Sequence, residues 1–384
     1  MKDKLNIAVF TDSFFPSGGG TEVATYQLCK ALKENGHNIL LFAPDYHREQ
    51  AFDEFEVVRV KSIALTQNDM MALPSRDYKK VLARVKEFAP DVIYFCTVSG
   101  MAKCAVKVAK ELDKPLVATV HTKFKEAFYD GSKSALITKC LLNSLVLKIY
   151  KADKVLTVSN DMARQLSNYG FKGEVGVIRN GVDHIKPISE PSAKKSEQGV
   201  VNFMFCGHLI KIKNIQFSLR ALGLLKREKG FNNFKFYLVG AGNYQKKLEK
   251  IIKKENLQDN VVFTGYVRDR KELANIYAKT HLFLFPSSFD TDGLVICEAA
   301  QMGTPTLTLD GYGASERITN NKNGFTSEND LRKFADRIYE IINDKPLYES
   351  VCKNVRSILG DTWHDVANKY EKIFKDLIEE KSAK

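Results

Sequence analysis

Two acidic residues flank a glycine in the sequence FPSSFDTDGLVICEAA, which holds Asp290 and Glu298 on either side of Gly293. An apolar strand pattern precedes this sequence, and a helical pattern opens at Gly293. The backbone amides of Gly293, Leu294 and Val295 are therefore expected at a helix N-terminus, where unsatisfied N–H groups and the helix dipole favour a pyrophosphate. Glu298, early in that helix, suits the vicinal hydroxyls of a ribose. Asp290, in the loop, suits the hydroxyls of a sugar.

A second loop between a strand and a helix reads CGHLIKIKN and carries His208, Lys211 and Lys213. Cationic side chains beside the free amides of a helix N-terminus form a phosphate site. The alternative is that these are surface lysines, which are common in a chain this basic. Both interpretations stay open on this loop alone.

Two further features belong to the first half of the chain. The loop FPSGGGTE includes Gly19 and Gly20, where the absence of a side chain lets the backbone approach a ligand. The loop matches neither the dinucleotide G-x-G-x-x-G fingerprint nor a P-loop, so a tight turn without a ligand is the alternative. His121 directly follows an apolar strand pattern, in the ligand zone of a parallel sheet, where an imidazole can donate a hydrogen bond or carry a proton. An ordinary loop histidine is the alternative there.

The elements that must position these residues alternate between strand and helix patterns along the whole chain. In the first half, we predict strands at 5–10, 38–43, 91–95, 115–120, 155–158 and 175–178, and helices at 22–35, 77–88, 100–112, 134–150 and 161–169. In the second half, we predict strands at 201–206, 234–239, 261–263, 281–285 and 306–309, and helices that include 214–228 and 244–255. Such alternation is typical of parallel sheets covered by helices.

The polar, proline-containing stretch 187–199 interrupts this alternation and is predicted to be a linker. We therefore predict an α/β protein of two Rossmann-like, doubly wound domains that face a cleft. The first domain is 1–186, joined by the C-terminal helix 361–384, and the second is 200–360. Because ligands of such sheets bind at the carboxyl ends of the strands, the cleft is the expected site.

Composition narrows the class of protein further. The chain lacks an apolar run long enough to span a bilayer or to form a signal peptide, so we expect a cytoplasmic protein. Its seven dispersed cysteines form no C-x-x-C pair, which argues against a disulfide framework and a zinc site. The formal net charge of +12 suits nucleic acid, an anionic membrane or a phosphorylated ligand, or reflects solvated lysines. Because the charges are mostly dispersed lysines, no nucleic-acid partner is expected.

Taken in order, these motifs resemble those of the family 4 retaining glycosyltransferases of GT-B fold. The similar segments are 7–22 (IAVFTDSFFPSGGGTE), 35–37 (NGH), 158–159 (VS), 179–183 (RNGVD), 238–242 (LVGAG), 263–265 (FTG), 290–298 (DTDGLVICE) and 323–325 (NGF). The resemblance covers nearly the whole chain. It implies a transferase that moves a hexose from a nucleotide sugar, with UDP as the expected nucleotide, and retains the anomeric configuration.

The resemblance also implies residue roles. Gly19 and Gly20 would approach the donor phosphate, and His121 would lie near the anomeric carbon. Lys213 would neutralise the leaving diphosphate, and Asp290 would contact the sugar. The remaining implied donor-binding residues are Glu298 at the ribose, His208 and the amides of Gly293, Leu294 and Val295 near the diphosphate, and Gly265, Tyr266 and Val267 around the nucleobase.

The sequence departs from the family pattern at two of these positions. His208 stands where the family usually has arginine, and histidine is a weaker, pH-dependent cation. Asp290 replaces the usual glutamate and is shorter by one methylene. The triplet 290–292 also resembles the metal-binding D-x-D of another glycosyltransferase fold, but Gly293 follows directly and the pattern is that of two Rossmann-like halves. We therefore expect no metal and no cofactor.

The acceptor is expected on the first domain. The segment 123–154 holds seven lysines against three acidic residues, interspersed with apolar side chains, which is typical of a surface that binds an anionic membrane. A saccharide or lipid-linked acceptor in glycolipid or surface polysaccharide synthesis would fit, with the protein peripheral on the inner face of the membrane. A core-facing helix with solvated lysines is the alternative.

Two alternative functions remain at this stage. A nucleotide-sugar epimerase shares the fold class, although the acidic pair and the segment 179–183 favour transfer. A catalytically weak homologue that acts as a partner subunit would also account for the changes at His208 and Asp290.

Overall fold

A computed structural model of the chain describes residues 3–15, 19–46, 54–64, 70–183 and 199–383. The chain divides into two compact units, Met1–Asp183 with Asp361–Lys384, and His184–Gly360. The predicted linker 187–199 lies outside the described residues except for Gly199.

The first unit is built on a parallel sheet of seven strands in the order β3-β2-β1-β6-β7-β8-β9, with a separate antiparallel pair, β4 and β5. The strands are β1 (Asn6–Phe10), β2 (Asn38–Pro44), β3 (Glu56–Val60), β4 (Ser62–Ala64), β5 (Met70–Ala72), β6 (Val92–Phe95), β7 (Leu116–Val120), β8 (Lys154–Thr157) and β9 (Val175–Val177). The helices that precede Asp183 are α1 (Gly20–Glu34), α2 (Pro74–Phe88), α3 (Gly100–Leu112), α4 (Phe124–Ser132), α5 (Ala135–Ile149) and α6 (Asn160–Asn168).

The second unit has a parallel sheet of six strands in the order β12-β11-β10-β13-β14-β15. The strands are β10 (Val201–Cys206), β11 (Phe234–Val239), β12 (Val261–Gly265), β13 (Leu282–Phe285), β14 (Thr306–Leu309) and β15 (Phe325–Ser327). The helices are α7 (Ile215–Lys229), α8 (Gln245–Lys254), α9 (Arg270–Lys279), α10 (Leu294–Gln301), α11 (Leu331–Asn343) and α12 (Lys345–Asn354). Short 3₁₀ helices span Lys211–Lys213, Gly313–Arg317 and Val355–Ile358.

The central strands are continuous apolar runs because helices cover both faces of each sheet. Every residue of β13 is buried, and Phe205, Phe283 and Phe285 stack across β10 and β13 with ring centroids 5.6–6.0 Å apart. In the first unit, Phe10 and Phe42 stack across β1 and β2 at 4.8 Å.

The chain ends as a long helix, α13 (Trp363–Ser382), that packs in the first unit. A capping box between Thr362 and Asp365 starts the helix. Tyr370 is buried, and its hydroxyl lies 2.9 Å from the Thr119 hydroxyl of β7. His37 accepts a hydrogen bond from the Leu5 amide through Nδ1 and contacts the α13 carboxylate Glu371 at 3.1 Å through Nε2.

Besides the short 3₁₀ helices, the sequence patterns missed seven elements: the helices α4, α11 and α12 and the strands β3, β4, β5 and β15. The strands β3 and β15 are at the edges of their sheets, and β3 includes Glu56 and Arg59 and buries only Val60 fully. The predicted helices and central strands agree with the structure to within about three residues, the usual uncertainty of element ends. In the described part of the chain, no helix combines the length and the apolar character needed to cross a bilayer.

Candidate functional site

The strand order of the second unit places its candidate residues at one point of the sheet. The strand β10 lies between β11 and β13, so the chain continues from β10 to one side of the sheet and later adds β13 on the other side. The loops that follow β10 and β13 therefore diverge, and the crevice between them is the usual ligand site of a doubly wound sheet. The loop after β10 carries Lys213, and the loop after β13 carries Asp290.

An ion pair joins these two loops. The Lys213 ammonium lies 2.5 Å from Oδ1 of Asp290, and both side chains are about four-fifths buried. The Asn214 side chain also donates to the Pro286 carbonyl at 3.1 Å. The second carboxylate oxygen of Asp290, Oδ2, is buried without a hydrogen-bond partner among the described residues. Asp290 thus holds Lys213 with one oxygen, and its other oxygen has an unused capacity to accept a hydrogen bond.

The helix after this loop begins as predicted. Gly293 is the N-cap of α10 in the left-handed region, at φ +68°, so the amides of Gly293, Leu294 and Val295 stand at the start of the helix. The preceding carboxylate, Asp292, faces away from Asp290 and bonds to Arg317 with both oxygens. Two carboxylates that share a metal must converge on it. Here they contact different cations, Asp290 with Lys213 and Asp292 with Arg317.

Glu298 projects from α10 toward α9. Its Oε1 lies 3.2 Å from Nη1 of Arg270, and its Oε2 accepts a hydrogen bond from the Tyr277 hydroxyl at 3.2 Å. Burial raises the pKa of Tyr277 well above its ordinary value, and Glu298 adds to the shift. Burial likewise raises the pKa of the neighbouring Cys206 thiol to about 12. Both groups therefore stay neutral, and Tyr277 serves as a hydrogen-bond donor to Glu298.

The other residues predicted for the donor site also follow strands of this sheet. His208 is exposed two residues after β10. Gly265 ends β12 at φ +73°, and its carbonyl accepts a hydrogen bond from the Gly240 amide at 2.8 Å. Tyr266 is 67% exposed, an unusual state for a tyrosine, and Val267 follows it. All these residues lie at the carboxyl edge that carries Lys213 and Asp290.

In the first unit, Gly19 is the N-cap of α1 and Gly20 its first residue. The side chain of Glu22 occupies the space beside Gly19, where an added Cβ would collide with the carboxylate. Among the described residues, nothing lies within 4 Å of a Cβ added to Gly20. The N-terminus of α1 therefore has a carboxylate beside Gly19, and no described atom is close to Gly20 on its Cβ side.

His121 follows β7 at the carboxyl edge of the first sheet and is half-buried. Two residues later, the Lys123 ammonium forms an ion pair with Asp161 of α6 at 2.6 Å, and both side chains are almost fully buried. This pair anchors the loop that carries His121. At the neighbouring end of β1, Asp12 accepts hydrogen bonds from the amides that start α3, and burial raises its pKa above the ordinary value against the effect of those bonds.

The basic segment 123–154 forms α4 and α5, and α5 is apolar on two faces. One face packs in the core through a stripe of buried residues: Thr138, Leu142, Leu145, Val146 and Ile149. The opposite face exposes Leu136 at 72% and Leu147 at 65%, with Ile137 and Leu141 beside them. The alternative of a core-facing helix accounts for the first face only. We call the second face, Leu136, Ile137, Leu141 and Leu147, the exposed apolar face of α5.

The sequence analysis missed the two side chains that hold Glu298. Arg270 and Tyr277 are seven residues apart on α9, two helical turns, so they lie on one face of that helix. The spacing was visible in the sequence, but only the packing of α9 against α10 shows that this face meets Glu298. Arg317, the partner of Asp292, had no sequence signal.

Comparison with known families covers both units. Residues 18–186 match the model described as Glycosyltransferase Family 4, and residues 188–358 match that of the group 1 glycosyl transferases. The chain is a family 4 glycosyltransferase. Among curated proteins, this glycosyltransferase is 25% identical over 315 residues to the alpha-monoglucosyldiacylglycerol synthase of Streptococcus pneumoniae, across 79% of this chain and 70% of that protein. It is 23% identical to the GDP-mannose-dependent alpha-mannosyltransferase of Corynebacterium glutamicum, across 97% and 89%.

A solved structure shows the same fold. The Anabaena protein HepE, in complex with UDP and glucose, superposes on the glycosyltransferase with a TM-score of 0.75 at 18% identity, across 97% of this chain and 99% of that one. The predicted GT-B fold is confirmed, and so is the prediction that the chain is a glycosyltransferase. Membership of a transferase family favours transfer over the epimerase alternative.

Proposed function

We propose that this glycosyltransferase moves a hexose from a UDP-sugar to a lipid acceptor at an anionic membrane surface, with retention of the anomeric configuration. The exposed apolar face of α5, flanked by lysines, is the observation that carries the choice of acceptor. The donor is supported by the HepE complex with UDP and glucose. The GDP-mannose-dependent relative makes a guanosine donor the second candidate.

The donor would bind at the crevice between the loops after β10 and β13. Displacement of a nucleoside diphosphate builds negative charge on the leaving group, and preorganised cations and amides stabilise such charge most effectively. Lys213 and the amides at the start of α10 would supply this stabilisation, and His208 would add a side-chain hydrogen-bond donor. No metal or other cofactor is needed in this scheme, because the nucleotide sugar is itself a substrate.

The two acidic residues would orient the donor. Glu298, held by Tyr277 and Arg270, would accept hydrogen bonds from the ribose hydroxyls. The unpartnered Oδ2 of Asp290 would accept one from the transferred hexose, while Oδ1 keeps the Lys213 ammonium in place. Residues 265–267 would surround the nucleobase.

The names of the relatives, together with ordinary nucleotide-sugar chemistry, support the proposed retention. Both curated relatives are named as makers of alpha-linked products. UDP-glucose and GDP-mannose are themselves alpha-linked, so an alpha product from either donor keeps the configuration. The anomeric coupling constant of the product, measured by proton NMR immediately after the reaction, tests this part of the proposal. A beta product would contradict it.

The exposed leucines of α5 are the feature that points to a lipid acceptor. Soluble proteins seldom expose a contiguous apolar patch on one helix face without a partner for it. Around the exposed apolar face of α5 stand the exposed lysines 133, 139 and 151. Apolar side chains that enter the lipid and cations that meet anionic headgroups together are typical of a helix lying in a membrane interface. A lipid acceptor would then be reached from the same membrane.

The donor experiment uses thermal shift and release of nucleoside diphosphate over a panel of UDP-glucose, UDP-galactose and GDP-mannose. Wild type runs beside Lys213→Ala and Glu298→Ala. The proposal expects one UDP-sugar to stabilise the wild type and neither variant. Binding of GDP-mannose alone would replace the donor, and no binding at millimolar concentration would refute the proposed reaction.

The membrane experiment measures co-sedimentation with vesicles of phosphatidylcholine and phosphatidylglycerol. Leu147→Glu removes an exposed apolar side chain from α5 and adds one negative charge. Val177→Glu, at an exposed apolar position on β9 of the same unit, is the matched control for charge. We expect Leu147→Glu to lose vesicle binding and Val177→Glu to keep it. Equal binding by the wild type and Leu147→Glu would exclude α5 as the membrane contact.

A further inference from the structure

A buried ion pair lies next to the start of α10 in the second unit. Nε and Nη2 of Arg317 donate to Oδ1 and Oδ2 of Asp292 at 2.7 and 2.8 Å, a two-point contact between planar groups. The side chains of Arg317 and Asp292 are only 3% and 2% exposed. The third guanidinium nitrogen, Nη1, donates to the Leu359 carbonyl at 3.3 Å. The guanidinium is therefore tied on one side to Asp292 and on another to the backbone near the end of the unit.

Asp292 is the residue directly before Gly293, the left-handed N-cap of α10. The backbone turn at Gly293 is tightly enclosed, because an added Cβ there would stand 3.0 Å from Ile296 and 3.4 Å from Ala314. Ala314 belongs to the same 3₁₀ helix, Gly313–Arg317, that ends in Arg317. This short helix thus contacts the turn by packing on one side of Gly293 and by the ion pair on the other.

Stability alone does not account for a buried ion pair at this place. The desolvation of two charges roughly cancels their attraction, and well-packed apolar side chains of similar volume stabilise a core as well or better. A two-point contact does fix the orientation of the Asp292 carboxylate, because both of its oxygens are held in the plane of the guanidinium. The stabilisation of a developing charge by backbone amides falls off with small displacements of those amides. The orientation of the backbone at the start of α10 is therefore important.

We propose that Arg317 is a positioning residue that acts through Asp292 to hold the amides of residues 293–295 in the orientation that binds the donor diphosphate. The inference rests on the proposed function, which places the diphosphate at the start of α10. Arg317 touches no substrate in this scheme. Its effect on the reaction passes through the backbone turn at Gly293.

The test replaces the ion pair by an apolar pair, Asp292→Leu with Arg317→Met. The thermal midpoint is expected to equal or exceed that of the wild type. The dissociation constant for UDP, measured by calorimetry, is expected to rise roughly ten- to a hundred-fold, since the amides lose their fixed orientation. The matched control is Glu228→Leu with Arg332→Met, which removes an exposed two-point pair from the same unit. The control is expected to bind UDP like the wild type.

A stable double variant with wild-type affinity for UDP would overturn the proposal, because the pair would then be structural only. If the double variant does not fold, Arg317→Lys decides: the lysine keeps the charge but loses the two-point contact. Weaker UDP binding at an unchanged thermal midpoint supports positioning, and unchanged binding overturns it. Hydrogen exchange at residues 293–296 in the ligand-free protein is expected to be faster in both variants. That readout distinguishes a failed inference from a failed donor assignment, since it needs no nucleotide.

Discussion

Removing the Lys213 ammonium is expected to affect stability and catalysis by separable amounts. In Lys213→Met, the Asp290 carboxylate stays largely buried and loses its cation. The attraction of such a pair is about 4 kcal/mol at 4 Å and an effective dielectric constant of about 20. Most of it offsets desolvation, and we expect a loss of about 1–3 kcal/mol in unfolding free energy from the unsatisfied carboxylate. The loss of one preorganised charge at the leaving group is expected to cost about 3–4 kcal/mol in the transition state.

A double-mutant cycle separates the two effects. Adding Asp290→Asn to Lys213→Met removes the unpaired charge, so most of the lost thermal stability should return. The kcat/KM for the donor, measured as release of nucleoside diphosphate, should stay about a hundred- to a thousand-fold below wild type. The reason is that the double variant still lacks the ammonium at the diphosphate.

Two results would contradict this reasoning. Recovery of kcat/KM together with stability in the double variant would show that Lys213 acts only as the partner of Asp290. A kcat/KM near wild type in Lys213→Met itself would show that the leaving diphosphate is stabilised elsewhere, and the donor would have to be placed differently.

Three further predictions concern single side chains. Tyr277→Phe removes the hydrogen bond to Glu298 and should lower kcat/KM for the donor roughly ten-fold, which corresponds to about 1.5 kcal/mol in activation free energy. The circular dichroism spectrum should stay that of the wild type. His208→Arg supplies a permanent cation and should tighten UDP binding several-fold at pH 8, as measured by calorimetry; unchanged affinity would place residue 208 away from the diphosphate. Burial by itself would raise the pKa of Glu371. Hydrogen bonds from Lys375 and His37 have the larger combined effect, so the pKa lies below its ordinary value of 4.5. The contribution of Glu371 to the free energy of unfolding is therefore complete above pH 4.5 and is lost as the pH falls through the pKa of Glu371 in the folded protein. Hydrogen exchange in α13 should accelerate over that pH range in the wild type, whereas in Glu371→Gln the exchange rate should depend less on pH.

Most strands of the two parallel sheets could be predicted from the sequence, because both faces of each sheet are buried. Strands such as β10 and β11 are rich in apolar and aromatic residues, and their bounds, like those of β14, agree with the prediction. Edge strands such as β3 and β15 are short or half-exposed, so their composition resembles that of loops. The helix α4 was not predicted because it is short and because its N-cap residue is Lys123, whose side chain does not cap the helix.

The segment 123–154 shows where a composition-based argument stops. Its excess of lysine and leucine was equally consistent with a core-facing helix and with a membrane surface. The structure buries Leu142, Leu145 and Val146 and exposes Leu136 and Leu147. Since every leucine has the same side chain, only the packing of α5 against the sheet decides which of them remain outside.

By itself, the sequence determined the alternation of strands and helices, the family motifs and the residue types at the end of each strand. These are local properties, because a strand end, a glycine turn or a helix start depends on neighbours along the chain. Tertiary structure alone decided which of those strand ends become neighbours. Lys213 and Asp290 are 77 residues apart and meet because β10 and β13 are adjacent in the sheet. Asp292 and Arg317 meet because a short helix after β14 packs back onto the start of α10, and no local pattern in the chain encodes that contact.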